Sequence, residues 1–239
     1  MLVEVCANSL ESAINAQKAG ADRIELCSEL SVGGVTPSFG FLEMVKKEVE
    51  IPVHVLIRPR SGHFVYSDME FEVMKADIER CKELGVDGIV SGILMKDFSV
   101  DIERTKELVE LTKPLHFTFH RAFDWIVEPE LALRQLEAIG VNTILTSGTY
   151  ESAVLGIENL KQWQKDSAMT IMAGGGVAPK NAALFQEAGL SAIHLSGTHF
   201  VNSVDLGNNI SMNSSKHWVE NEVPQTSEAL VNQVVQTVK

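Results

Sequence analysis

Short apolar runs of strand length alternate along this chain with longer stretches of helical periodicity, and the junction between them repeats. Ala19-Gly20-Ala21-Asp22-Arg23-Ile24, Leu84-Gly85-Val86-Asp87-Gly88-Ile89, Ile139-Gly140-Val141-Asn142-Thr143-Ile144 and Ala188-Gly189-Leu190-Ser191-Ala192-Ile193 share one form. In each, a helix-like stretch stops at a glycine, which tolerates the left-handed conformation that ends a helix. An apolar run of strand character follows. Two more runs open on a proline, at Pro52 and at Pro114, and continue to Ile57 and Phe119. With Leu2–Cys6 and Met169–Ala173 the expected strands number eight. Eight strands alternating with helices predict an α/β fold, a parallel (β/α)8 TIM barrel, for which about 250 residues is typical. The 239 residues therefore read as one domain spanning 1–239.

The stretches between strands suit helices. Met74, Ile78 and Cys81 recur at helical spacing and form a face for packing on the barrel. Asn8 and Glu11 read as a capping box, and Pro37, Pro129 and Pro179 as first-turn prolines. Two connections are longer than a barrel needs, from Arg58 to about Met69 and from Ser196 to about Thr226. The second is a long loop at about 198–225 before the last helix, rich in Asn and Ser. It also carries Phe200, Leu206, Ile210, Met212 and Trp218, which are expected to dock over the barrel mouth or on a neighbouring subunit.

Charge narrows the function classes. A net charge of −12 leaves no excess of Lys and Arg for a general nucleic-acid or anionic-membrane binder. No apolar run approaches the length of a membrane span, and strand character from Leu2 leaves no room for a signal peptide. Three cysteines do not make a disulfide framework. These features predict a cytoplasmic protein.

Candidate chemistry lies where strand alternation turns side chains inward. Residues two apart share a face. Glu4 and Cys6 share one in the first strand, and Glu25 and Cys27 in the second, so Glu-x-Cys recurs on neighbours. His54, Leu56 and Arg58 align in the third strand, His116, Thr118 and His120 in the fifth, and His194 and Ser196 in the eighth. Barrel sites sit at the C-terminal strand ends. Charges inside a barrel are costly unless paired, and Glu4 or Glu25 could pair with Arg58. A lone buried cysteine is usually an apolar filler, as expected for Cys81; the repeated Glu-x-Cys tips the balance towards function for Cys6 and Cys27. Arg58-Pro59-Arg60 offers two guanidiniums at the mouth as an anion clamp. His120 is a candidate acid, base or metal ligand, with Asp124 placed to orient it or Arg121. Gly175, Gly176, Ser196 and Gly197 end the last two strands, where many barrels bind phosphate.

The phrases Leu26-Cys27-Ser28-Glu29-Leu30-Ser31-Val32-Gly33-Gly34-Val35-Thr36-Pro37-Ser38, Arg58-Pro59-Arg60-Ser61-Gly62, Phe119-His120-Arg121-Ala122-Phe123-Asp124 and Ala173-Gly174-Gly175-Gly176-Val177 resemble those of the CutC family, called copper homeostasis proteins. The resemblance runs from Glu4 to about Gly197, and the Asn/Ser-rich segment beyond matches poorly. It implies a cytosolic TIM barrel that forms homo-oligomers, a homodimer or homotetramer. It also implies Cu(I) ligands at Cys6 and Cys27, and soft thiolates do select Cu(I). Two arginines, the His-Arg-Ala-Phe-Asp motif and a glycine-rich strand end exceed what a copper carrier needs. They suit an enzyme (a lyase, isomerase or hydrolase) acting on a small phosphorylated or carboxylated metabolite. For that alternative the candidate catalytic residues are Glu4, Glu25, Arg58, His120 and Asp124, with Arg60, Gly175, Gly176, Ser196 and Gly197 holding the anion.

Overall fold

Eight parallel strands close into a barrel: β1 (Leu2–Ala7), β2 (Arg23–Leu26), β3 (Val53–Leu56), β4 (Gly88–Ser91), β5 (His116–Phe119), β6 (Thr143–Thr146), β7 (Thr170–Gly174) and β8 (Ala192–Leu195). β8 pairs back onto β1, with Glu4 opposite His194. The structure is a computed structural model and describes residues 1–202, 204–205, 207, 209–210 and 220–239. Helices α1 (Leu10–Lys18), α2 (Phe39–Glu48), α3 (Asp68–Glu83), α4 (Ile102–Thr112), α5 (Pro129–Ala138), α6 (Ile157–Asp166), α7 (Ala182–Glu187) and α8 (Glu228–Val238) alternate with the strands, as a TIM barrel requires. No helix among the described residues is long and apolar enough to cross a membrane.

The apolar core lies between barrel and helices. Val3, Val5, Ile24, Leu26, Val53 and Val55 are fully buried there, facing helical side chains such as Met74, Ile78 and Cys81. Strand alternation then sends Glu4, Cys6, Arg23, Glu25 and Cys27 to the other face, into the barrel. Inside, a separate small cluster joins Cys6 and Cys27 to Leu56 and Val90.

Local capping departs from expectation at α1, α2 and α7. Ser9, not Asn8, caps α1, and its hydroxyl accepts from the Ser12 N–H, so Glu11 closes no box. A full capping box instead joins Ser67 and Glu70 at the start of α3. Pro129 opens α5 as expected. Pro37 lies just ahead of the Ser38 cap of α2, and Pro179 in the turn before α7.

The connection after β8 is not simply a loop. Thr198–Asn202 (β9) and Glu222–Thr226 (β10) pair antiparallel, with Phe200 opposite Pro224. Buried Thr226 is tied to α1, its N–H donating to Ser12 Oγ and its carbonyl accepting from Asn15 Nδ2. Phe200 is on the cleft rim and largely exposed, and Ile210 is exposed within the single chain. Leu206, Met212 and Trp218 lie outside the described residues.

Candidate functional site

A cleft of about 650 Å³ opens at the C-terminal ends of the strands, and Cys6, Glu25, Arg58, His120, Arg121, Gly175, His194 and Ser196 all line it. Beneath it Glu4 is completely buried and holds Arg23 and His194. Arg23 Nε donates to Glu4 Oε2, and His194 Nδ1 lies 2.7 Å from Glu4 Oε1. His194 Nε2 is 3.6 Å from Glu25 Oε2. Burial alone would raise the Glu4 carboxyl, but the His194 hydrogen bond and the Arg23 charge hold it far below the usual carboxylate range. Burial would depress His194, yet the two carboxylates lift it above an ordinary imidazole. Burial raises Glu25, against the opposing pull of His194. The result is an anionic Glu4 orienting an imidazole whose far nitrogen faces the Glu25 carboxyl, 3.6 Å away, at the cleft floor. Such an arrangement can give and take protons near neutral pH.

Glu4 is paired with Arg23, not Arg58. Arg23 sits two residues before Glu25 and four before Cys27, so alternation alone marks it as inward-facing. His194 shares its strand face with Ser196. Arg23 and His194 both belong to the central cluster; alternation places His194 on the inner face without a role, and the sequence does not single out Arg23 as a site residue.

The two thiols lie beside this cluster. Cys6 Sγ and Cys27 Sγ are 3.4 Å apart. The Cys6 sulfur and one donor atom each from Glu25 and His194 all fall within 4.8 Å of one another. Cys6 meets the cleft, whereas Cys27 is fully buried and packs under Gly34, where a Cβ would lie 3.2 Å from the Cys27 Cβ. The contact with Cys27, burial and the Glu25 charge all push the Cys6 thiol up, so it is protonated until something displaces the proton. Cys81 is in the core against α3's neighbours, and burial raises it to about 12.

The arginines expected to form an anion clamp are engaged elsewhere. Arg58 Nη1 donates to the Val32 and Gly34 carbonyls, both at 2.7 Å, and Nη2 to Gly62 O at 2.8 Å. It laces the loop after β2 to the loop after β3. Arg60 is absent from the cleft wall: its Nε pairs with Glu70, and its other nitrogens reach the carbonyls of His63 and Val65. Gly197 also points away, its carbonyl accepting from Ser227 N–H and its α-carbon facing Val231 of α8. Gly175 and Gly176 do line the cleft, with φ of +105° and +78°. The guanidinium seated on Gly175 is that of Arg121, within the His-Arg-Ala-Phe-Asp phrase, while Gly176 faces Ser152. Asp124 orients Arg121 rather than His120, accepting from Arg121 Nε at 2.7 Å. His120 takes the Ala122 N–H on Nδ1 at 3.2 Å, and burial followed by the Arg58 charge lowers it to about 3, so the ring stays neutral.

Fold and site together define a (β/α)8 barrel with a thiol, carboxylate and imidazole group at the floor of its mouth. The comparisons give that class a family. The CutC family model matches residues 1–199, and the chain belongs to that family. It is 48% identical over 198 residues to the copper homeostasis protein cutC homolog of Homo sapiens, covering 82% of this chain and 72% of that one. It is 48% identical over 200 residues to a family protein CutC of Vibrio vulnificus, covering 82% and 80% of the two chains. A crystal structure of a CutC protein from Streptococcus agalactiae superposes with a TM-score of 0.78 at 37% identity, covering 82% of this chain and 98% of that one.

Proposed function

We propose that this chain is a copper homeostasis protein that takes up Cu(I) at Cys6 and Cys27. The observation that carries the reading is the contact between the two sulfurs, 3.4 Å apart on neighbouring strand ends with Cys6 open to the cleft. Soft thiolates select Cu(I) over hard cations. Glu25, adjacent to Cys6 and readily protonated, is suited to accept the thiol proton that the metal displaces, and His194 offers an imidazole nitrogen within reach of the same sulfur. Such thiols persist in the reducing cytoplasm, the compartment this reading assigns. A homodimer or homotetramer is part of the same reading, on the family resemblance, and light scattering tests it. Titration of reduced protein with Cu(I) against a chromophoric chelator is the direct test. Cys6→Ser and Cys27→Ser are each expected to weaken binding by more than the roughly 10–100-fold typical of losing a supporting partner. Cys81→Ser should leave it unchanged. Full affinity in the Cys6→Ser/Cys27→Ser variant would overturn the site.

A second reading is favoured by a different observation, the buried Glu4–His194–Glu25 chain. A copper carrier needs no oriented imidazole. An enzyme that moves a proton on a small anionic substrate does, with His194 and Glu25 as the acid–base pair and Glu4 and Arg23 positioning them. A metabolite screen by thermal shift tests it, since a ligand that binds only the native state raises apparent stability.

A further inference from the structure

Across the barrel from β1 and β2, the cleft carries a second chemistry that neither the thiols nor the Glu4–His194–Glu25 chain uses. Arg121 follows β5, and its guanidinium is held from behind. Nε donates to Asp124 Oδ2 at 2.7 Å and Nη2 to Ser147 Oγ at 3.1 Å. The other Asp124 oxygen accepts from the Thr146 hydroxyl and from the N–H groups of Ser147 at 2.9 Å and Thr149 at 3.3 Å. The carboxylate's charge is thus shared among four donors. Nη1 has no partner among the described residues, and the side chain is 44% exposed at the cleft. This sets it apart from Arg58, whose two terminal nitrogens are spent on loop carbonyls.

Gly175, just past the end of β7, is the seat for this group. A Cβ at Gly175 would lie 3.2 Å from Arg121 Cζ and 3.3 Å from Nη1. A side chain there would displace the guanidinium, and the positive φ already disfavours one. Backbone rather than side chain therefore forms this part of the wall, and an anion can approach it closely. A second, independent feature points to a ligand. His120 lines the same cleft and is 5% exposed, and its Nε2 is buried with no partner among the described residues. Nδ1 accepts the Ala122 N–H, so the ring proton sits on Nε2. A buried donor left unpaired is costly, and an acceptor on a ligand would satisfy it.

We propose that Arg121, seated on Gly175, and the His120 Nε2–H form an oxyanion-binding subsite for the phosphate or carboxylate of a small metabolite. The subsite supplies the substrate class for the enzyme reading and does not depend on the thiols. Arginine's planar fork suits both oxyanions.

The test titrates the full chain with inorganic phosphate and with malonate, following thermal stability, with sodium chloride at matched ionic strength as the control. Saturable stabilisation by phosphate or malonate, beyond that of chloride, is expected in the wild type and in Cys6→Ser/Cys27→Ser. Arg121→Gln should lose about tenfold or more in affinity, while Arg134→Gln, on the exposed face of α5, should bind normally. Preference for phosphate assigns a phosphate ester and preference for malonate a carboxylate; either supports the subsite. Binding by neither anion at millimolar levels, or undiminished binding by Arg121→Gln, overturns it. A wild-type measurement covers the case in which Arg121→Gln does not fold. The bound anion should shield Arg121 from phenylglyoxal, read by peptide mass spectrometry, and equal modification with and without it overturns the subsite. Loss of Cu(I) binding in the cysteine variant with anion binding intact separates this proposal from the copper reading.

Discussion

Glu4 illustrates how much one buried carboxylate depends on its neighbours. It has no solvent, and its charge is balanced by Arg23 on one side and His194 on the other. Burying a charge is tolerable only when it is paired and hydrogen-bonded, so removing one partner leaves an uncompensated ion. Arg23→Met is therefore expected to destabilise the protein by about 3–5 kcal/mol in urea unfolding. Adding Glu4→Gln should restore part of that loss, because the stranded charge is gone. If Arg23→Met alone unfolds like the wild type, the Glu4–Arg23 pair is not what compensates the carboxylate. Arg58 is a different case: it holds loop carbonyls and Phe64's face, and its work is shaping the cleft rim.

At the scale of elements, glycines in β4 and just beyond it create the space that inward-facing histidines occupy. A Cβ on Gly88 would stand 2.6 Å from three ring atoms of His54, its register partner on β3. Gly92 does the same for His120, with a Cβ 2.6 Å from Nδ1. These strands are hydrogen-bonded on both sides and cannot shift freely. Gly88→Ala should therefore cost about 1–3 kcal/mol, the usual penalty for overpacking a filled interior. Equilibrium unfolding would read this directly, and an alanine tolerated without loss would mean that the His54 ring can turn aside. The β9–β10 hairpin is the other element of consequence. Its Pro224 and Phe200 sit on the cleft rim, and Thr226 anchors it to α1.

For the whole molecule, the interior histidines set a pH dependence. Burial lowers His54 to about 3, His116 to about 4 and His120 to about 3, against an ordinary value of 6.5. Below about pH 6.5 the unfolded chain binds protons at these positions that the folded chain refuses. Stability therefore falls as pH drops, until the folded values are reached. Each contributes on the order of 1.4 kcal/mol per pH unit in that window. Glu4 acts in the same direction at still lower pH, because its folded value is depressed. His194 opposes it: its folded value is raised, so its contribution is complete below about 6.5 and is lost as pH rises through the folded value. Urea midpoints are expected to drop steeply from about pH 6.5 to 4.5. A flat profile there would mean that the three rings are solvated and ionise freely.

Much of this is legible in the amino-acid sequence alone. Glycine-stopped helices marked four of the eight strands, proline-opened and plain apolar runs marked the others, and period-two alternation marked Glu4, Cys6, Glu25, Cys27 and His194 as sharing the inner face. Both are local properties: a strand sends successive side chains to opposite sides whatever surrounds it, and a glycine after a helix is read from a few residues. Only the tertiary structure decided the partners. Glu4 pairs with Arg23 because β1 and β2 register those two residues side by side, while Arg58 is drawn away by carbonyls of a loop 24–26 residues earlier. Arg121 rather than Arg60 reaches Gly175 after β7 because barrel closure brings the β5 and β7 ends around one mouth. The polar segment after β8 looked irregular because β9 and β10 have no apolar face to announce them; they exist through pairing with each other and through Thr226's bonds to α1. Which groups meet is set by register, closure and the capture of backbone carbonyls, all of them contacts between residues far apart in the chain.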